Sequence, residues 1–346
     1  MHKWFFIFIV VALALLVSCT ETEMSHDYSS VEIKTVFEDS VSIRAIEFLD
    51  DITLAFAGSG GTYGSVNVNS SRVRTNIQKY DSITPEFRAV AHTKTDFFML
   101  SVGSPTLLYK TGTEGTMELV YKEEGEGVFY DAMTFWNDSE GLAIGDYNNG
   151  CFSIIITRDG GKTWNRVPCN KIPPLHPDTG AYAASNSNIA VFGDKVWVMT
   201  SKEQILFSPN KGKSWEAIET PLQIEETYHG IYSIDFYDAM NGFGIGGDFS
   251  KPELKTSNKM RTIDGGHSWS LIADGESPGY QSCIRYVPNA GAQDLVTVGF
   301  TGIFYSKDHG NTWKQLSEEG FYTLRFLNDS IAYAAGRNRI AKLTFQ

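Results

Sequence analysis

The sequence predicts an all-β chain, a seven-bladed β-propeller closed by its own N-terminal strand. Three observations carry this. One short pattern, Ser/Thr-x-Asp-x-Gly-x-Thr/Ser-Trp, recurs as TRDGGKTW (157–164), SPNKGKSW (208–215), TIDGGHSW (262–269) and SKDHGNTW (306–313). Its tryptophans, Trp164, Trp215, Trp269 and Trp313, follow one another at intervals of 51, 54 and 44 residues, a period typical of propellers and other repeat arrays. Between the boxes lie short apolar or alternating runs separated by Gly, Asn and Asp, which are strand and hairpin signals. Outside the N-terminus no long segment keeps a 3.6-residue period.

The elements follow in order. Lys3 and the apolar run Trp4–Val17 form a leader of signal-peptide type, too short to span a membrane comfortably. It ends in Leu16-Val17-Ser18-Cys19, which resembles the bacterial lipobox, so residues 1–18 are expected to be removed and Cys19 lipidated. Residues 19–30 read as a polar tether. The strand VEIKTVFED (31–39) stands alone and is assigned as the outer strand of the last blade. Inner strands are expected to start near Val41, Glu86, Val128, Ala181, Tyr228, Tyr280 and Phe321. The unit before the first box divides into four strands, at about 128–136, 141–146, 151–158 and 163–168. The final unit holds three strands before Gln346, and the N-terminal strand supplies its fourth, removing the free edges of an open array.

The box is read as a fastener on the turn between the third and fourth strands. Asp159, Asn210, Asp264 and Asp308 accept local backbone N–H groups, glycine allows the turn, and the tryptophans pack between blades. Asn210 in the second copy argues against acid–base work, because a carboxylate is not kept there. These residues resemble the Asp-box (BNR) repeat of sialidases, some glucanases, sortilin-type receptors and photosystem II stability/assembly factor-like propellers. The longer pattern F-x-D-x-x-x-F…G-x-A-x-G-D…T-x-D-G-G-x-T-W, here from Phe129 to Trp164, looks most like the last group. The resemblance spans about residues 40 to 346 and implies a non-catalytic binding and assembly role. Nothing in the chain indicates photosynthesis.

A formal net charge of −12 disfavours nucleic acid and anionic lipid surfaces as partners, and the basic residues form no stripe. Beyond Cys19, Cys151 and Cys169 flank the first box hairpin. A turn centred on Gly160 sets Thr157 against Thr163 and Cys151 against Cys169, within disulfide range, and an exported protein permits oxidation. Cys283 is left as a lone buried thiol.

Catalytic constellations are poor. Arg44, Arg88, Arg285 and Arg325 fall on inner strands but differ in register, so a sialidase-type arginine cluster is not implied. Glycoside hydrolysis needs two facing carboxylates, and the strand-end candidates are Asp131, Asp146, Asp235 and Asp248. Asp146 and Asp248 end the sibling sequences AIGD and GIGGD, which suits turn capping. No CxxC, HExxH or EF-hand loop is present, so neither metal nor cofactor is expected. GSGGTYGS (58–65) lacks dinucleotide-binding spacing.

A ligand is expected at the face carrying the longest loops, 169–182 and 247–259. Tyr130, Tyr182, Tyr232, Tyr280 and Tyr322 recur where inner strands begin, and with Asp146 and Asp248 they are the candidate binding residues. The reading is an exported, lipid-anchored, monomeric propeller on a Gram-negative outer membrane, on its periplasmic or outer side. It binds a protein or peptide and does not catalyse. The alternatives are a carbohydrate-active enzyme of glycoside hydrolase type and a glycan-binding propeller.

Overall fold

The structure, a computed structural model, describes residues 25–112, 115–176, 178–224 and 227–346. The leader and Cys19 lie outside the described residues. The described chain is all-β, with 27 strands in six antiparallel sheets.

The seven-stranded sheet joins the chain's two ends. It holds β1 (Val31–Asp50), β2 (Thr53–Gly58), β3 (Thr62–Asn67) and β4 (Val73–Ile77), together with β25 (Thr323–Phe326), β26 (Ile331–Ala335) and β27 (Arg337–Phe345). The first half of β1 pairs with β27, from Val31 opposite Phe345 to Ser42 opposite Arg337. The second half pairs with β2, from Ile43 opposite Gly58 to Asp50 opposite Thr53. The other five sheets have four strands each, in chain order. They are β5 (Phe87–His92) to β8 (Met117–Glu123) through β6 (Phe97–Ser101) and β7 (Thr106–Thr111); β9 (Tyr130–Phe135) to β12 (Asn165–Arg166) through β10 (Gly141–Asn148) and β11 (Cys151–Thr157); and β13 (Ile189–Phe192) to β16 (Glu216–Glu219) through β14 (Lys195–Met199) and β15 (Gln204–Ser208). The last two are β17 (His229–Phe236) to β20 (Ser270–Leu271) through β18 (Gly242–Asp248) and β19 (Lys259–Thr262), and β21 (Cys283–Tyr286) to β24 (Lys314–Ser317) through β22 (Leu295–Gly299) and β23 (Gly302–Ser306). The inner strands touch in cyclic order, β1, β5, β9, β13, β17, β21, β25 and back to β1. That is the packing of a β-propeller.

The apolar cores lie between adjacent sheets. Ile144, Ile154 and Ile156 pack on Val196, Val198 and Leu206 of the next sheet, and Phe98 and Leu100 pack on Ala143 and Ile155. Alternation explains this, since each strand presents one set of side chains to each neighbouring sheet. The three box turns that carry an aspartate share one geometry. Asp159 accepts from the Thr163 amide at 2.9 Å and the Thr163 and Thr157 hydroxyls at 2.7 and 2.9 Å, while the Gly161 amide donates to Thr157 Oγ1 at 2.9 Å. Asp264 and Asp308 repeat the pattern. Trp164, Trp269 and Trp313 each donate their indole N–H to the box glycine carbonyl at 3.0 to 3.2 Å. The rings wedge between sheets, Trp164 against Phe98 and Trp313 against Phe243.

Three expectations need correction. Residues 25–30 are docked rather than free, because Tyr28 buries its ring against Tyr305 and Phe345 and Ser25 and His26 bond to Asp294 at 2.7 to 3.0 Å. The fourth inner strand does not begin near Ala181, since β13 starts only at Ile189. Finally, the first box hairpin pairs Ile155 with Arg166 and Ile156 with Asn165, one residue out of the expected register. Cys151 and Cys169 are nonetheless joined, with Cα atoms 5.4 Å apart, because the chain leaves the ladder at Val167 and Cys169 sits in a short 3₁₀ turn. Cys283 is a buried free thiol.

Candidate functional site

Four inner strands carry an irregularity at their upstream end. In β1, Ile43 faces Gly58 and Ala45 faces Ala57, leaving Arg44 as the extra residue. In β5, Phe87 faces Ser101 and Ala89 faces Leu100, leaving Arg88. In β9, Tyr130 faces Gly145 and Ala132 faces Ile144, leaving Asp131. In β17, Ile231 faces Gly246 and Ser233 faces Ile245, leaving Tyr232. A bulge of this kind re-aims the extra side chain out of the alternation. The opposing glycines make room for it. A Cβ on Gly145 would lie 2.1 Å from the Phe129 carbonyl oxygen, and one on Gly246 2.0 Å from that of Gly230. This is the physical content of the G-x-A-x-G-D motif.

All four extra residues line one cleft of about 560 Å³, at the end of the ring where the inner strands begin. Tyr182, Tyr280 and Tyr322 share its wall, and Tyr228, Phe249 and Phe300 form its rim. The rings support one another. Tyr182 stacks on Tyr232 at 3.8 Å, Tyr232 meets Tyr280 edge-on at 5.0 Å, and Tyr280 stacks on Phe300 at 4.9 Å. Such pairs hold aromatic faces in place at low entropic cost.

The charges in the cleft are unevenly satisfied. The Arg44 guanidinium lies 4.3 Å over the Tyr322 ring, and its Nη1 donates to the Ala184 carbonyl at 3.4 Å. Arg88 grips Glu86 through Nε at 3.0 Å and Nη2 at 2.9 Å. Asp131 is fully buried, and neither carboxylate oxygen has a hydrogen-bond partner among the described residues. Burial pushes its carboxyl well above the ordinary range, and Asp146 adds repulsion. Arg88 and the nearby Ala183 amide oppose the shift, the latter without a hydrogen bond of normal geometry. Burial also raises the Tyr182 hydroxyl to about 12, and raises Tyr232 further with help from Tyr182 and Tyr280. These phenols stay neutral at any physiological pH.

The predicted residues divide. Tyr182, Tyr232, Tyr280 and Tyr322 line the cleft. Tyr130 does not, because the bulge at Asp131 turns it between two sheets, where its hydroxyl bonds Glu123 at 2.7 Å. Asp146 lies behind the cleft and accepts the Ala181 amide at 3.0 Å. Asp248 caps a turn, accepting the Ser250 amide and hydroxyl at 2.7 Å each. Both are therefore loop-holding residues. The four arginines split in pairs, Arg44 and Arg88 here and Arg285 and Arg325 at the far mouth. Sequence reasoning missed the convergence of Arg44, Arg88 and Asp131, although the glycines opposite three of the bulges were a usable signal.

The cleft has a floor. Ala183–Asn188 leave the fourth inner position and cross the channel, bonding to inner strands all round. Asn186 donates to the Val90 carbonyl at 2.7 Å and accepts the Met133 amide at 2.9 Å. Ser185 donates to the Ser282 carbonyl at 2.6 Å and its own carbonyl accepts Thr323 Oγ1 at 3.1 Å. The Ser187 and Ser233 hydroxyls meet at 2.8 Å. Beneath this plug a second pocket of about 300 Å³ is lined by Glu47, His92, Asp235, Arg285 and Arg325. Among the described residues no group of three or more His, Cys, Asp or Glu side chains is placed to hold a metal ion.

Fold and site together define a β-propeller plugged at mid-channel, with an aromatic cleft at one mouth. No family model matches the chain, and no curated protein matches it. Solved structures do. YCF48 bound to a D1 peptide superposes with TM-score 0.64 at 16% identity, over 93% of this chain and 98% of that one. YCF48 from Cyanidioschyzon merolae gives 0.63 at 11%, over 92% and 99%. Streptogramin B lyase gives 0.66 at 13%, over 93% and 100%. A lyase and a peptide-bound protein share the architecture, so this likeness carries the fold and the site must carry the function.

Proposed function

We propose that the chain is a seven-bladed propeller closed by β1, whose box turns are Asp-box repeats, and that it binds a segment of a protein or peptide in the aromatic cleft without catalysis. The blade count is supported by the cyclic order of inner strands and by the division of β1 between β27 and β2. One observation carries the binding reading. Tyr228, Phe249 and Phe300 keep 48, 44 and 44% of their surface exposed on the rim of a cleft that continues inward as aromatic wall. Large apolar rings left in water around a cleft with a few charged side chains, Arg44, Arg88 and Asp131, mark an interaction site. The peptide carried by YCF48 in a propeller of like fold favours a peptide over other ligands.

Catalysis is disfavoured because only one of the four candidate carboxylates lines the cleft. Asp131 lines the cleft, Asp146 and Asp248 hold loops, and Asp235 belongs to the far mouth. A glycan is disfavoured at Tyr182 and Tyr232, whose stacked faces cover each other. Export and a lipid anchor on Cys19 are proposed from the leader and lipobox, and the Cys151–Cys169 bond suits an oxidising compartment.

The test is site-specific photocrosslinking in the native envelope. A photoreactive residue at Phe249 is expected to capture one protein in stoichiometric yield, and the same group at exposed Ile263, on the opposite face, is expected not to. Equal capture at both positions, or glycan in place of protein, overturns the reading.

A further inference from the structure

The cleft holds one carboxyl group that no hydrogen bond answers, while its two arginines are largely engaged and only Arg44 Nε is left without a partner among the described residues. Arg88 already holds Glu86, and Arg44 already rests on Tyr322 and the Ala184 carbonyl. Asp131 has no such partner among the described residues, although a buried carboxylate without hydrogen bonds is costly and rare. Its position is built, since the bulge in β9 exists at the one residue that turns this side chain from the sheet into the cleft. The surroundings suit a cation. Tyr182, Tyr232, Tyr280 and Phe129 line the same wall, and Asp146 and Asp248 lie close behind it. Such rings give apolar surface to the stem of a long side chain.

We propose that the cleft takes a basic side chain, Lys or Arg, of the bound segment, with its apolar stem along the tyrosines and its charged head on Asp131. This rests on the reading of the cleft as a peptide site. It assigns Asp131 as the selectivity residue and leaves Tyr228, Phe249 and Phe300 as the apolar rim that binds the rest of the segment. A long basic side chain fits this geometry, because its methylenes cover apolar wall while its head reaches a deep acceptor.

The experiment uses the full chain and an array of end-blocked peptides in which each position is scanned, so that free termini do not supply the charge. Binding is read for the wild type and for Asp131→Asn, an isosteric change that keeps the fold, checked by near-UV circular dichroism. We expect one position to require Lys or Arg, with replacement by Gln weakening binding about thirty-fold or more, the low end for losing one partner of a buried charge pair. Asp131→Asn is expected to abolish that preference while leaving weak binding through the rim. A wild type that binds peptides with no basic preference, or a preference that survives in Asp131→Asn, overturns the assignment but leaves the peptide reading intact. A wild type that binds no peptide overturns both.

Discussion

The two mouths of the channel are built from the same inner strands and treat charge in opposite ways. At the far mouth Arg285 meets Asp235 at 3.2 Å, Arg325 meets Glu47 at 3.3 Å, and His92 approaches Glu47 at 3.9 Å. These residues occupy regular ladder positions, with Glu47 opposite Ala55, Asp235 opposite Phe243, Arg285 opposite Val296 and Arg325 opposite Tyr333. Adjacent strands bring them side by side, and they neutralise one another. At the near mouth Arg44, Arg88 and Asp131 are bulged residues that turn away from the ladder, and Asp131 is left unpartnered among the described residues. Regular register builds a fastened face, which also carries the four box turns. Irregular register builds an open one. A bulge thus removes a charged residue from its cross-strand neighbours without fixing what answers it: Arg88 still grips Glu86, whereas Asp131 has no hydrogen-bond partner among the described residues.

The sharpest test of that contrast is Arg285→Ala. It leaves Asp235 buried and without its cation, and removing one partner of a buried pair costs about 3–5 kcal/mol. The midpoint of urea unfolding should fall accordingly, while affinity at the cleft should change little once folded protein is compared. An Arg285→Ala variant as stable as wild type would remove the distinction between the two mouths.

Next in size is the Cys151–Cys169 bond, which closes a span of 18 residues. Chain-entropy reasoning gives about 3 kcal/mol for such a loop. The double variant Cys151→Ser/Cys169→Ser should lose about that much, and reductant should lower wild type to the same level. The bond also begins the segment that leads through Asp146-bound Ala181 to Tyr182 and the plug. Loss of the crosslink should therefore weaken cleft binding as well, which Arg285→Ala should not.

Asp131→Asn should move stability the other way, by about 1 kcal/mol at neutral pH, because it relieves an uncompensated carboxylate. The sign has a pH signature. Burial raises the folded-state pKa above the unfolded value of 3.8, so above that value the unfolded state releases the proton first. Wild-type stability then falls as pH rises from about 4 toward neutrality. The advantage of the Asn variant should open across that window and vanish below it, as read by urea unfolding at pH 3 and pH 7. Gain of stability with loss of ligand preference is the pattern of a residue kept for function.

Much of the fold is legible in the sequence because repetition is legible. The box tryptophans, the Gly-Asp strand ends and the odd strand at 31–39 locate the sheets without reference to tertiary structure. The spacing around Gly160 brings Cys151 and Cys169 within reach, although the register behind it is off by one. The site is harder. A bulge inverts the alternation on which strand reading depends, so the sequence aims Tyr130 at the channel, whereas its neighbour Asp131 lines it. Nothing within IRAIEF, YDAMTF or IYSIDF marks the extra residue. The mark lies on the partner strand, in Gly58, Gly145 and Gly246. The plug is similar. Ala183–Asn188 reads as a weak strand, and only its run of small polar residues, AASNSN, in place of apolar alternation hints that it bonds to the surrounding strands instead.

The smallest effect concerns the fastened face itself. In three boxes a carboxylate accepts from the following Thr or Ser, amide and hydroxyl together. In the second box Asn210 Oδ1 accepts the Ser214 amide at 2.9 Å, but its Nδ2 must donate to Ser214 Oγ at 2.8 Å. The Trp215 indole N–H, alone among the four box tryptophans, has no partner among the described residues. A carboxylate here would accept from both Ser214 groups, and ionised acceptors bond more strongly than neutral ones. Asn210→Asp should therefore stabilise by about 0.5 kcal/mol, within the usual span for a change at an exposed turn, and Asp264→Asn should cost a similar amount. Paired urea titrations of the two variants would show it. If both changes destabilise, each box is tuned to its own surroundings and the fastened face is not a set of interchangeable turns.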